Sequence, residues 1–504
     1  MKRIYLRMTL LAWLLVACTV GPNYVRPGIE APHAFKEMEG WKQADPRDRE
    51  LRGPWWEIYN DALLNNLEEQ VAISNQNLAQ AEAKYRQARA LVQSARASYF
   101  PSVGADASAT RTGSGSSRTS SANSQQSSQS ASNYALSVSA AWEIDVWGRV
   151  RRTVEANQAN AEASAADLEA ARLSAQAELA QDYFQLRISD AQKQLLEDSV
   201  ADFAKSLQLT KNRYDSGVAA KVDVVQAQTQ LQNTQAQAVD VGVQRAQLEH
   251  AIALLIGKPA SSFSLVPAPL AAVAPVVPVG VPSQLLERRP DVAAAERRVA
   301  AANAQIGVAK AAYFPALTLS GSLGYQSSRF ADLITAPSRF WSIGPALAQT
   351  LFDGGLRSAQ SDQAVAAYDA SVAAYRQTVL TGFQEVEDNL AALRILEQEA
   401  QVQDEALQSA RESVVLTINQ YKAGIVSYLN VIQVQTTALA TERSSVDILN
   451  RRLAATVLLI KALGGGWNRS GIDTNAESTS RPTTGLPDPQ PLAGQPGEVT
   501  AGRD

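Results

Sequence analysis

Hydrophobic and polar positions alternate in four short stretches of the chain. From Tyr134 to Asp145, the residues Tyr134, Leu136, Val138, Ala140, Trp142 and Ile144 fall on one side of an extended backbone. Ala135, Ser137, Ser139, Ala141, Glu143 and Asp145 fall on the other. A third strand sets Leu317, Leu319, Leu323 and Tyr325 against Thr318, Ser320, Ser322 and Gly324. A fourth, less regular, sets Trp341, Ile343, Leu347 and Leu351 against Ser342, Gly344, Ala346 and Thr350. The first in chain order, Val103 to Ala109, carries mostly small residues and is the weakest. Segments of about ten residues, apolar on one face with aromatics near the ends, suit a lipid-facing barrel wall. The same alternation would also suit one face of a soluble sandwich. Four strands cannot close a barrel, since the smallest membrane barrels have about eight. An open edge in lipid would cost several kcal/mol for each unpaired backbone group. If these strands span a membrane, the protein is an oligomer.

The longer stretches predict helices. From Val150 to Arg213 there is no proline or glycine, and at 1.5 Å per residue the run reaches close to ~100 Å. The turn YDSGVAAKVD follows, and a returning helix of about half that length is expected from Val222 to Ile256. A leading helix from Asp61 to Ser98 supplies the missing length if the two stack end to end. Later, Leu356 to Tyr421 runs out, Val426 to Leu463 runs back, and Asp291 to Ala312 is the stacking piece. No strong apolar stripe marks these helices. Ala156, Ala159, Ala163, Ala166, Ala170, Ala177 and Ala180 instead permit close helix approach. A solid coiled-coil rod would want larger buried residues, so a hollow cylinder wetted on both sides is the favoured reading.

This order of elements occurs twice. Glu296, Lys310 and Tyr313-Phe314-Pro315 match Glu82, Arg96 and Tyr99-Phe100-Pro101 at a spacing of about 214. Gly355, Leu393-Arg394, Tyr421, Gly424 and Gly464 match Gly148, Leu186-Arg187, Tyr214, Gly217 and Gly257 at about 207. One unit has been written twice, giving repeats at 61–258 and 283–466. A proline-rich connector, 259–282, joins them and reads as extended chain around the waist. The serine-rich stretch Arg111 to Asn133 has almost no apolar residue and reads as a surface loop. The tail, 467–504, lacks the apolar content to fold.

Composition narrows the function. The net charge of -4, with mixed signs, gives no reason to expect nucleic acid. Among 504 residues there is one cysteine and two histidines, His33 and His250. Apart from that single cysteine the sequence offers no thiol, and it has no histidine cluster, phosphate loop or serine elbow; Glu385 and Glu387 are two apart and do not share a helix face. Neither an enzyme nor a cofactor is expected.

Lys2, Arg3 and Arg7 precede an apolar run from Met8 to Ala17 that suits a signal sequence, 1–17. Its end, Leu15-Val16-Ala17-Cys18, resembles the lipobox of bacterial lipoproteins, which makes Cys18 the lipidated residue opening an extended segment, 18–60. Thr19, rather than an aspartate, follows it, which by the rules of that class favours the outer membrane. Next come VGPNYVRP and PWWEIYNDALLNNLEEQ, and later SQLLERRPDV. Together these resemble the TolC-like outer-membrane efflux lipoproteins of the NodT family, over nearly the whole chain to about Trp467.

The resemblance implies a mostly α fold with membrane β strands. It implies a homotrimer sharing a 12-stranded outer-membrane β-barrel on a long periplasmic α-helical barrel. It further implies a periplasmic adaptor protein and an inner-membrane RND transporter as partners. Gly217, Val218 and Ala219, with Gly424, Ile425 and Val426, match the family's adaptor-contacting tips, flanked by Arg213, Tyr214 and Tyr421. Val426 and Gln433 stand where some relatives place acids, so no acidic gate is carried over to that tip; Asp215 and Asp223 remain gate candidates that also read as solvated cap residues. The expected function is a passive exit duct for small molecules. A type I protein-secretion duct and a pore-less lipid-anchored scaffold are the alternatives.

Overall fold

The computed structural model describes residues 19–28, 35–36, 54–113, 130–268, 275, 277 and 289–465. The signal segment, Cys18, the middle of the serine-rich loop, much of the connector and the tail lie outside the described residues. The elements run α1 (Ala62–Ser74), α2 (Gln76–Ala97), β1 (Ser102–Gly113), β2 (Ser130–Ile144), α3 (Arg149–Asp215) and α4 (Lys221–Leu255). They continue with α5 (Pro290–Ala311), β3 (Ala316–Ser327), β4 (Arg339–Ala348), α6 (Leu356–Lys422) and α7 (Tyr428–Ala462).

Two expectations change. The leading helix is not continuous from Asp61 to Ser98: Asn75 adopts an extended backbone and its side chain accepts from the N–H groups of Asn77 and Leu78, ending α1 and capping α2. An asparagine that offers the backbone this local bond competes with the helix at that point. The fourth strand stops at Ala348, short of Thr350 and Leu351. Beyond it Asp353 accepts from the N–H groups of Gly355 and Arg357, and this starts α6.

The four strands form one antiparallel sheet in the order β1-β2-β3-β4. Register aligns Ala105, Val138, Leu323 and Trp341 on one face, and Gly104, Ser139, Ser322 and Ser342 on the other. The hydroxyls of Ser322 and Ser342 are 2.8 Å apart. β1 and β4 are the two edges.

The helices build four rods side by side. α3 and α6, each 67 residues, run the full length, roughly 100 Å at 1.5 Å per residue. The other two rods are composite. α4 continues into α2 because the Asn75 amide donates to the Leu255 carbonyl at 2.7 Å. α7 continues into α5 because Arg289 Nη1 donates to the Ala462 carbonyl at 3.1 Å. The lateral order is α4/α2, α3, α7/α5, α6.

The core sits at the waist, where the rods join. Trp55, Tyr59, Leu64, Leu67 and Val71 pack with Leu179, Tyr183 and Phe184 of α3, Ile252 and Ile256, Val386 and Leu390 of α6, and Val457 and Ile460 of α7. Asp190, Arg187, Arg245 and Glu249 form a largely buried charged cluster there. It pins the start of the connector through the Leu265 N–H and the carbonyls of Leu265 and Val266. Residues 19–28 run as a strap over α3 and α5. Arg152 Nη2 donates to Asn23 Oδ1 at 2.8 Å, Asn303 Nδ2 donates to the Pro22 carbonyl at 3.0 Å, and Arg26 and Tyr24 reach Glu296.

Candidate channel wall and hairpin tips

The wall follows from which side chains the single chain leaves uncovered. On the sheet's apolar face Leu136, Val138, Leu323, Trp341, Ile343 and Leu347 are all exposed, Trp341 and Ile343 at 71%. An apolar face this open, backed by a polar one, separates hydrocarbon from water. The helical rods show a second asymmetry. Among the described residues, large apolar side chains exposed along the rods fall on the two outer ones. Leu91, Val239 and Val243 lie on α2/α4, and Leu380, Ile395, Val402, Val415 and Leu416 on α6. The inner rods, α3 and α7/α5, expose only Tyr214 and Leu429, both near the tips.

The open edges of sheet and helical layer therefore coincide, with β1 and α2/α4 on one side and β4 and α6 on the other. With four strands of alternating direction, β4 of one copy meets β1 of the next antiparallel, so identical copies extend both layers at once. Among the described residues no helix is long and apolar enough to cross a membrane.

At the far end two hairpins carry the same turn. Gly217 and Gly424 adopt φ of +78° and +77°, a left-handed conformation that only glycine accepts without strain. In each turn the glycine N–H donates to Tyr214 or Tyr421, and the next N–H, of Val218 or Ile425, to Arg213 or Gln420. These paired bonds form a Schellman cap that closes the helix and turns the following residue outward. Val218 is 65% exposed and Ile425 73%. Ala219 and Val426 are half-buried, and Val426 packs with Leu207, Val224, Tyr428 and Val431 between the hairpins.

The flanking residues divide. Tyr421 is buried; its hydroxyl donates to Thr210 Oγ1 at 3.4 Å and its ring lies 5.5 Å from that of Tyr428. Arg213 sits 4.7 Å over the Tyr421 ring and donates to the Lys422 carbonyl at 3.1 Å, tying one hairpin to the other. Tyr214 is exposed beneath Lys221, and Asp215 is exposed at the end of α3. Asp223 accepts from the Ala220 N–H at 3.3 Å in the first turn of α4. Burial, then Tyr421, then Asp223, pushes the Tyr428 hydroxyl up to about 12. Thr210, Tyr428 and the Lys422 carbonyl went unnoticed in the sequence, because only the packing of one hairpin on the other gives them a role.

Above the tips, burial raises the Glu68 carboxyl well above the ordinary range. Among the described residues neither of its oxygens has a hydrogen-bond partner. Asp182 on α3 is pushed up to about 6 by burial and by Glu178 one turn away. Among the described residues no cluster of His, Cys, Asp and Glu could hold a metal ion.

A half-covered sheet on a half-covered helical layer, both incomplete at the same two edges, defines one protomer of a channel that its own copies complete. The chain belongs to the outer membrane efflux protein family, which it matches over residues 67–258 and 281–465. It is 31% identical to outer membrane protein OprJ of Pseudomonas aeruginosa over 466 residues, covering 91% of this chain and 95% of that one. With the cation efflux system protein CusC of Escherichia coli it shares 28% over 466 residues, covering 91% and 98%. The solved structure of the outer-membrane channel OprN superposes with a TM-score of 0.82 at 31% identity, covering 89% of this chain and 100% of that chain. The protein is an outer-membrane channel component of an efflux system. Its duplicated protomer forms a trimeric β-barrel set on a long α-helical barrel.

Proposed function

We propose that the trimer is the passive exit duct of a tripartite RND-type pump, passing small molecules from periplasm to exterior and held in the outer membrane additionally by lipid on Cys18. The inner-membrane transporter supplies the energy, and a periplasmic adaptor links it to the duct. The observation that carries the reading is the pair of Schellman turns presenting Val218 and Ile425 to solvent at the end remote from the sheet. Apolar side chains raised on rigid caps are ready for a partner that buries them. Around them Gly217, Ala219, Gly424 and Val426 supply the small, close-approach surface.

The test is the double variant Val218→Asp with Ile425→Asp. Trimer mass and single-channel conductance in planar bilayers stay as in the wild type, while export of the pump's small-molecule cargo falls to the level of the deletion strain. Undiminished export would show that the tips are not the docking surface. A wild-type trimer without conductance would support the scaffold reading, and loss of a secreted protein rather than of small-molecule resistance on deletion would support the secretion reading.

A further inference from the structure

We propose that a cleft at the foot of the sheet receives an acyl chain of the lipid carried by Cys18, an inference that rests on the lipid-anchor reading above. The cleft, about 170 Å³, lies where β2, β3 and β4 leave the sheet, with Ile144, Trp147, Phe314, Pro315, Ala316 and Leu317 in its wall. Trp147 and Phe314 stack at 4.7 Å, and the Trp147 indole N–H donates to the Pro315 carbonyl at 2.8 Å, so two neighbouring rings are held in place. Ile144 and Leu317 are register partners at the lower end of the apolar face, so the cleft continues the lipid-facing wall.

The charged members of the wall are neutralised within the chain. Glu143 accepts from Nε and Nη2 of Arg149 at 2.8 and 2.5 Å, and Asp145 accepts from the N–H groups of Val150 and Arg151. Most residues of the wall are apolar, and with its charges already paired the cleft suits a hydrocarbon chain, with ester groups at its polar rim, better than a phosphate.

The occupant follows from where the described chain begins. The Val20 N–H donates to the Trp147 carbonyl at 3.1 Å. Thr19 lies against Gly148, where an added Cβ would meet Thr19 Cγ2 at 2.6 Å. Successive Cα atoms are about 3.8 Å apart, so a group on Cys18 is attached one residue before Thr19. The bonds from Arg152 and Asn303 hold the strap just beyond, so the described end of the strap is tethered beside the cleft.

The test uses the full chain expressed in the outer membrane, with p-benzoylphenylalanine placed singly at Ala312, Ala316 or Ile343, the last on the open lipid face. After illumination and digestion, the fragments bearing position 312 or 316 are expected joined to the N-terminal lipopeptide at least tenfold more than the fragment bearing 343. Mild alkali should cleave the ester and leave one fatty acid on the fragment. Ala316→Trp, which fills the cleft, should abolish the adduct at 312. Phospholipid adducts alone at all three positions would overturn the cleft and leave the anchor standing. An unacylated Cys18 in the intact mass would overturn both.

Discussion

Asn75 and Arg289 lie 214 places apart and make the same joint with different chemistry: each stands at the start of an upper helix and donates to the last turn of the returning helix below it, at Leu255 and Ala462. The spacing equals that between the two Tyr-Phe-Pro marks, so the joint belongs to the ancestral unit. Asn75 uses a neutral amide. Arg289 adds ion pairs to Asp291 and Glu385 at 2.7 and 2.6 Å.

Removing these joints should loosen the rods at the waist. Asn75→Ala loses a cap and a buried bond and should cost about 1–2 kcal/mol. Arg289→Ala leaves the buried Ala462 carbonyl without its donor, while Asp291 and Glu385, both part-exposed, turn to solvent, and should cost about 2–3 kcal/mol. Thermal unfolding of the detergent-solubilised trimer should show the larger fall for Arg289→Ala; equal small effects would mean that helix packing alone holds the stack.

Glu68 makes stability depend on pH. Burial raises its carboxyl well above the ordinary range in the fold, while in the unfolded chain it ionises at the ordinary value near 4. The folded state binds the extra proton, so its contribution is whole below the unfolded pKa and is lost as pH rises toward the folded one. Glu68→Leu should remove that dependence and stabilise the trimer by about 1–3 kcal/mol at neutral pH. Unfolding midpoints of the two proteins that stay parallel from pH 5 to 9 would contradict this.

The strap should tolerate no side chain at its closest approach. A Cβ on Gly21, where φ is +97°, would lie 2.5 Å from the Gly307 Cα. Gly21→Ala should lift the strap, at a cost of about 1–3 kcal/mol, and open residues 19–28 to protease in the folded trimer. Cleavage no faster than in the wild type would show that the strap adjusts.

The two sheet faces should respond oppositely to charge. Val138→Arg, midway along the lipid-facing side, should cost about 2–4 kcal/mol and reduce the inserted trimer in outer-membrane fractions. Ser139→Arg, one residue on and facing the lumen, should leave insertion intact and shift single-channel ion selectivity. Equal loss of insertion in both would refute the assignment of faces.

The hydrogen bond that Asp223 accepts lies within the first turn of α4. Asp223→Asn should therefore leave single-channel current and cation selectivity unchanged. A changed selectivity would instead make Asp223 part of the constriction.

Much of the architecture was legible because it is periodic. The alternation at Tyr134–Ile144 marks a strand whatever surrounds it, and the run without proline or glycine from Val150 to Arg213 emerges as α3, Arg149–Asp215. The break at Asn75 was missed because α1 and α2 are both good helix sequence, and the bond that rewards the break comes from Leu255. The burial of Tyr421 was equally hidden: Tyr214, its counterpart in the repeat, is exposed, and only the neighbouring hairpin tells them apart.

The sequence by itself determined the repeat, the lengths of the two long helices and the two faces of each strand, because these depend on local stereochemistry and on spacing along one chain. Only the tertiary structure decided which rods lie outermost, how the strap from Thr19 to Gly28 locks across helices more than a hundred residues away, and which tip residues face water. Those depend on contacts between distant segments, whose free energy no local pattern records.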